Sequence, residues 1–474
     1  MFAESNLGVL GGTSRSPATV GSNSSSSGGG ALRRPLGTLG SSIGSSLLYG
    51  TAAEEKIVLD IGTHTLRVGY SGDARPLYKT SLYSVFSHGD NNAGRLVGKS
   101  SGLFEEGHPN NNEEELLEAL LVEQLRNVYR SHLLLDSKSR KVVVAEGALL
   151  PVQVKRALAR VLFYNLRVPM VSFYPGSVTS LMTCGKMVGL VVDCGHRSTA
   201  VMPVYDCRPL VSCMVSTPMG GNALFRNLKQ LVLRFGKFVP FGGGQTKKDG
   251  DVKECAVDEL ALSDDTVRFL MTKLIYASPI AIPKSFGRPP PGLSVGIAEG
   301  DLVEWFESSI TASNEVTKLT VDCPKNGRGS LMFPTWIRER AAEILFSGDM
   351  SEDHQGIVQS IVQSIAKSPV DTRRELVKNI LVVGGVADML NFKVRLLHDL
   401  ISTLRDDKRW SALAGEAALA NEDPVVGLSA NGEAFLASDR CWTGASLAVA
   451  ARIGGMDVKA EEFDDVSIID WTNQ

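Results

Sequence analysis

Two aspartates, Asp60 and Asp193, each end an apolar run and are followed two residues later by a glycine, Gly62 and Gly195. A strand that ends in Asp-x-Gly sets a carboxylate beside a tight turn. The glycine lets a phosphate approach backbone N–H groups, and the aspartate can hold a phosphate-bound Mg²⁺ through water. One such turn is an ordinary β-hairpin. Here the motif lies inside a repeat. Residues 56–77 (KIVLDIGTHTLRVGYSGDARPL) and 189–210 (GLVVDCGHRSTAVMPVYDCRPL) agree without a gap at eight of twenty-two positions. These are Val58/Val191, Asp60/Asp193, Gly62/Gly195, Val68/Val201, Asp73/Asp206, Arg75/Arg208, Pro76/Pro209 and Leu77/Leu210. The agreement runs through the turn and on into Arg-Pro-Leu. It therefore marks a duplicated fold, with two related domains facing each other across a nucleotide-sized cleft. Gly384-Gly385 follows a third apolar run, Asn379–Val383, and Gly220-Gly221 opens a helical stretch. Three glycine turns in this order point to nucleotide binding far more strongly than one.

The elements around these turns alternate between strand and helix, the pattern of an α/β sheet with helices packed on it. Apolar spacing predicts helices over Glu113–His132, Val152–Asn165, Ser177–Thr183, Asn222–Arg234, Asp264–Tyr276, Trp336–Phe346, Gly356–Ser364, Thr372–Lys378 and Asn391–Leu404. Strands are expected at Lys141–Glu146, Val168–Phe173 and Asn379–Val383. Gly236–Asp251 reads as a Gly/Lys loop. Ala277–Gly329 reads as irregular, with a short strand near Lys318–Val321. The acidic segment after Gly455 reads as a mobile tail.

A chain of 474 residues suggests two to four domains. The net charge of -3 gives no whole-chain attraction to nucleic acid or anionic membrane. No apolar run reaches the length of a membrane span. The seven cysteines are scattered, without Cys-x-x-Cys or a histidine at metal-ligand spacing, which fits reduced thiols in a cytoplasmic protein. Residues 1–53 are dominated by Ser and Gly and are expected to be a disordered tail. The near absence of acids there faintly resembles a transit peptide, but the stretch has no amphipathic period.

The order of the glycine turns resembles the actin superfamily, whose layout is a phosphate loop, a second phosphate loop and an adenosine-side Gly-Gly. Asp60-Ile-Gly with Arg67-Val-Gly-Tyr-Ser-Gly-Asp73 resembles the first actin loop, and Gly189-Leu-Val-Val-Asp-Cys-Gly195 the second. Pro369-Val-Asp-Thr-Arg-Arg-Glu-Leu376, leading to Val382-Val-Gly-Gly385, and Trp442-Thr-Gly-Ala-Ser446 resemble two further actin segments. Within the family the chain is most similar to the divergent actin-related subunits of the dynactin pointed end. Arg130-Ser-His-Leu-Leu-Leu135, Ser139-Arg-Lys-Val-Val-Val144, Arg160-Val-Leu-Phe163, Val191-Val-Asp-Cys-Gly-His196 with Pro203-Val-Tyr205, and Pro369-Val-Asp-Thr-Arg373 carry that likeness. The implied fold is actin-like: duplicated ribonuclease-H-type α/β domains around a nucleotide cleft. The implied divisions are a first half over 54–188 and a second over 189–455. The first contains a shortened lobe at about 76–112. The second contains irregular inserts at about 236–262 and 277–330, and its part 433–455 packs back on the first half. An acidic tail covers 456–474.

The resemblance also implies site residues. Asp60, Gly62, Thr63, Arg67, Asp193, Gly195, Gly221, Gly384 and Gly385 would hold ATP or ADP with Mg²⁺, the metal facing Asp60 and Asp193 through water. Arg67 stands at the family's phosphate-contacting lysine. Departures fall on the hydrolytic machinery. The family's water-orienting Gln and His fall on Gly176 and Ala200, so the implied protein is not an enzyme. His64 replaces a glycine of the first loop and His196 a carboxylate of the second. Met271 and Thr272 replace adenosine-contacting groups. Two readings of the cleft therefore stand, with nucleotide and without. His64 and His196 likewise read as ordinary polar residues or as a replacement catalytic pair.

The function this implies is a non-hydrolysing cytoplasmic, cytoskeletal subunit. It would cap the pointed end of the actin-like filament of dynactin and contact that filament's subunit and other pointed-end dynactin subunits. The shortened lobe lacks the apolar loop that would enter a further subunit. The alternatives are an ATP-hydrolysing enzyme or small-molecule kinase of the superfamily and a nuclear chromatin-remodelling subunit. Lys247-Lys248 is too short for a nuclear localisation signal.

Overall fold

The structure, a computed structural model of the chain, describes residues 55–81, 111–241, 255–257, 262–278, 316–323, 327–349, 352–420 and 435–464. The Ser/Gly-rich stretch 1–53, lobe residues 82–110, most of the two inserts and residues 465–474 lie outside the described residues.

The first half opens with a hairpin, β1 (Ile57–Ile61) and β2 (Thr65–Tyr70), followed by β3 (Tyr78–Ser81). Helix α1 (Asn111–Asn127) runs into a π-helical turn that ends where Leu134 turns left-handed. Then come β4 (Val142–Glu146), α2 (Val152–Arg160, with a π-helical turn to Asn165), β5 (Met170–Pro175) and α3 (Gly176–Met182). The second half opens with its own hairpin, β6 (Gly189–Cys194) and β7 (Thr199–Tyr205). The strands β8 (Arg208–Pro209) and β9 (Val215–Thr217) both pair with β7. Beyond lie α4 (Gly221–Phe235), β10 (Lys237–Pro240), β11 (Cys255–Ala256), α5 (Asp264–Lys273), β12 (Val316–Cys323) and β13 (Gly327–Pro334). The chain continues through α6 (Ile337–Arg340), α7 (Glu343–Ser347), β14 (Gly348–Asp349), β15 (His354–Gln355), α8 (Ile357–Lys367) and α9 (Arg373–Lys378). It closes with β16 (Ile380–Val383), α10 (Phe392–Asp406), α11 (Ser411–Ala414), α12 (Arg440–Ala450) and β17 (Met456–Lys459).

The repeat in sequence is a repeat in topology. The first sheet runs β17-β5-β4-β1-β2-β3 and the second β16-β6-β7-β8. In each, a hairpin strand is antiparallel to its partner and parallel to a later strand, β4 beside β1 and β16 beside β6. Central strands buried on both faces must be apolar throughout, which is why Ile57–Leu59 and Leu190–Val192 carry no polar residue. The helices cover these sheets with one apolar stripe each, such as Leu224, Leu228 and Val232 of α4 and Ile357, Ile361 and Ile365 of α8. Ser263 caps α5, its hydroxyl accepting from the Thr266 N–H at 3.2 Å, with Asp264 and Asp265 in the favourable first turn.

Helix α12 lies against the first hairpin. Trp442 is fully buried and its indole N–H donates to the Val58 carbonyl at 2.9 Å. The Ser446 hydroxyl donates to the Asp73 carbonyl at 2.8 Å. Gly444 sits directly on the Thr179 carbonyl of α3, which brings the two helices close.

Three expectations are corrected. The segment expected to be a loop at 236–251 supplies β10, and the chain at 277–329, expected to be irregular apart from the short strand near Lys318–Val321, supplies the longer β12 and the start of β13, in a four-stranded antiparallel sheet, β11-β10-β13-β12. Strands β10 and β13 carry glycine or proline, which weakens any alternating pattern, yet Phe238, Leu331 and Phe333 point into the core. The segment Trp336–Phe346 is two short helices with a break at Ala341-Ala342. The acidic segment after Gly455 begins with β17, which pairs with β5 and buries Val458.

Candidate functional site

The ends of the two hairpins line one cleft of about 1220 Å³, together with Gly384, Gly385, α5 residues and the start of α4. Both turns close identically. The Gly62 N–H donates to the Thr65 carbonyl at 2.9 Å and the Gly195 N–H to the Ser198 carbonyl at 3.0 Å. Asp60 and Asp193 line the cleft beside them.

Their surroundings differ. Opposite Asp60 in the ladder stands Arg67, which donates from Nη1 to Asp60 Oδ2 at 3.0 Å. The same guanidinium donates from Nε to Asp439 Oδ1 at 2.8 Å, and Lys79 reaches that oxygen at 2.8 Å. Burial raises the Asp60 pKa, opposed by Arg67. Burial also works against Asp439, but Lys79 and Arg67 hold its carboxyl below the usual range. Opposite Asp193 stands Ala200. Burial and then the Asp60 carboxylate push Asp193 up to about 6.

Of the proposed binding residues, Thr63, Gly62, Gly195, Gly221, Gly384 and Gly385 all line the cleft. Gly384 has φ +93, and any side chain there would strike the Cys194 carbonyl and come within 2.8 Å of Asp193 Oδ1. The N–H of Gly221 is taken by the Gly195 carbonyl at 3.0 Å and that of Asn222 by the His196 carbonyl. The start of α4 thus holds the second turn in place.

His64 and His196 meet. Their rings stack with centroids 4.6 Å apart and planes at 28°. Burial and then Arg268 lower His64 to about 4; burial, His64 and Arg268 lower His196 to about 3. Both rings are neutral at neutral pH. On α5, Met271 and Thr272 line the cleft, and the Thr272 hydroxyl folds back to its own helix at the Arg268 carbonyl, 3.0 Å away.

Gly176, Asp193, Ala200 and Cys441 share the wall of a second, small cavity of about 10 Å³. That is the lower limit for one water molecule. A Cβ on Gly176 would lie 2.6 Å from Cys441 Sγ and 2.8 Å from the Glu146 carbonyl oxygen. Ala200 is buried at 4% exposure. Sequence reading missed Cys441, Asp439 and Lys79. Asp439 lies 372 positions from Arg67, and no local pattern joins them.

The residues fit a phosphate-bound divalent cation. Two nearby carboxylates, both with raised pKa values, form a site that added positive charge would relieve. Among the described residues, no three His, Cys, Asp or Glu side chains group as direct metal ligands. A cation here would therefore be held by Asp60 and Asp193 through its water shell and by a ligand's phosphate.

The actin family profile matches residues 51–241 and 328–469. The chain belongs to the actin family. It is 24% identical to actin-related protein 4 of Arabidopsis thaliana over 416 residues, covering 77% of this chain and 89% of that protein. It is 22% identical to actin-related protein 10 of Dictyostelium discoideum over 370 residues, 74% of each. It is 24% identical to centractin of Saccharomyces cerevisiae over 378 residues, 76% of this chain and 86% of that protein. This is an actin-related protein with the mixed α/β actin fold. Members of the family generally bind nucleotide with a divalent metal. Among the described residues no helix is long and apolar enough to cross a membrane.

Proposed function

We propose that this actin-related protein is a non-hydrolysing structural subunit that caps the pointed end of the actin-like filament of dynactin, and so supports dynein-driven transport on microtubules. The observation that carries the loss of hydrolysis is the small cavity at Gly176 and Ala200. Hydrolysis needs side chains that orient a water against the terminal phosphate. Gly176 offers none, Cys441 fills the space beside it, and Ala200 offers a methyl group. Losing such positioning groups typically costs orders of magnitude in rate. A bound nucleotide would supply negative charge and a cation between the two halves. Thr63 and Arg67 would face its phosphates, and Gly384 and Gly385 would let its other end approach the backbone.

The capping role rests on the unlike ends of the chain's resemblance to actin. The segments 175–181 and 442–446 keep the family pattern, and α3 and α12 pack tightly there. The lobe at about 76–112 is short, polar and without an apolar insertion loop. Filament contacts are individually small and depend on such anchors. A subunit without one can dock but offers nothing to the next. Likeness to centractin and to actin-related protein 10 is in keeping with this setting.

Two measurements test the reading. Purified protein should release no phosphate from ATP above background; robust release abolished by Asp193→Ala would overturn the non-hydrolysing assignment. Electron microscopy of the chain mixed with filaments of the dynactin actin-related protein should show it at pointed ends only. Homopolymers of this chain, or binding along filament sides, would overturn the capping role.

A further inference from the structure

The histidine stack lies between the two turns whose backbone would receive phosphate. His64 follows Gly62 by two positions, His196 follows Gly195 by one, and their rings are in contact at 4.6 Å between centroids. Stacked rings leave no gap for a phosphate between them. His196 is also held from behind: its Nδ1 lies 3.1 Å from where a Cβ of Gly221 would be, and its carbonyl accepts the Asn222 N–H. The same cleft, about 1220 Å³, is also lined by Gly384, Gly385 and α5 residues. Arg268 of α5 lines this cleft too, close enough that its charge acts on both rings.

We propose that the His64–His196 stack is a phosphate-length filter, so that the cleft takes a nucleoside diphosphate and rejects a triphosphate. The chain of phosphates enters the cleft and ends against the rings, beside the Arg268 guanidinium. A further phosphate would have to part the stack, and neutral rings offer it no charge in return. Discrimination arises from a built-in clash, which is how a site rejects a ligand that differs by one added group. The inference rests on the reading of the cleft as a nucleotide site. It is independent of end capping, which is read by microscopy, so the failure of one leaves the other standing.

The test is calorimetric titration of the full chain in Mg²⁺ buffer at neutral pH with ADP and with a non-hydrolysable imido analogue of ATP. The expected result is that ADP binds about tenfold or more tightly than the analogue. In the variant His64→Gly/His196→Gly the two should bind within about threefold of each other, through a gain for the triphosphate. Melting temperatures of the variants are read alongside. If the double variant fails to fold, His196→Ala carries the test, because it removes one ring from the cleft wall and should improve triphosphate binding. Equal binding of the two nucleotides by the unaltered chain would overturn the proposal. So would a preference that survives removal of the rings, or no binding of ADP to the unaltered chain.

Discussion

The two hairpins share turn, register and backbone hydrogen bonds, yet surround their aspartates differently. Asp60 faces Arg67 across the ladder, and Asp193 faces Ala200 at the equivalent place. The first half thus brings its own counter-charge, extended through Asp439 to Lys79. The second leaves its carboxylate with a methyl group opposite, and the pKa rises to about 6. A duplicated fold fixes where a carboxylate points; the residue seven positions on decides what that carboxylate can do. The first half carries a partial counter-charge of its own, whereas the second would gain more from an external cation.

The largest effect expected from breaking this comparison is at Arg67. Arg67→Met removes the guanidinium from two buried carboxylates, Asp60 and Asp439. Taking one partner from a buried ionic network costs about 3–5 kcal/mol. Chemical denaturation should show that loss. Arg67→Lys should recover only part of it, because an ammonium is a single point charge without the fork that reaches both carboxylates. A loss below about 1 kcal/mol, the range of exposed pairs, would mean that the network adds little to the first half.

This network also marks where sequence reading stops. The hairpins were legible because apolar strands, an Asp-x-Gly turn and a repeat all agree. The helices that flank them were legible from their stripes. Asp439 and Cys441 were not, since each acts only through contacts that the fold makes across the chain. Strands β10 and β13 were obscured by their glycines and prolines, and β17 by its acidic surroundings. His64 and His196 were visible as departures from a pattern, but their stacking was not.

The next effect tests the side of Ala200. Gly176→Gln restores the side-chain type that the family places there, and its Cβ meets Cys441 Sγ and the Glu146 carbonyl. Overpacking of this kind should cost about 2–3 kcal/mol. Cys441→Ala in the same chain should return part of that loss, because it removes the sulfur but not the carbonyl. A double-mutant cycle over these two positions should show clear coupling. Independent, additive effects would mean that Cys441 does not fill the place of the missing side chain.

The smallest effect is at Asp193, and its size sharpens the contrast with the first hairpin. The folded pKa of about 6 exceeds the ordinary value of 3.8. Below the unfolded pKa both states hold the proton and Asp193 costs nothing. As pH rises, the unfolded state ionises first, and the penalty on the folded state grows until the pH passes about 6 and remains in full above that. A shift of roughly two units bounds the penalty at about 3 kcal/mol, and partial exposure to the cleft brings it to about 1–2. Asp193→Asn should therefore stabilise the chain at pH 7.5 in EDTA without nucleotide, and the gain should vanish by about pH 4. The histidine pair runs the other way. With pKa values lowered to about 4 and about 3, it stabilises above 6.5 and loses that contribution as pH falls. Comparing variant and parent at each pH cancels that background. Asp60→Asn should gain less at pH 7.5, since Arg67 opposes the burial that raises the Asp60 pKa and would lose one of its two partners. Melting curves of both variants between pH 4 and 8 decide the matter. If Asp60→Asn gains as much as Asp193→Asn at pH 7.5, the two hairpins do not differ in charge compensation, and the contrast drawn between them fails.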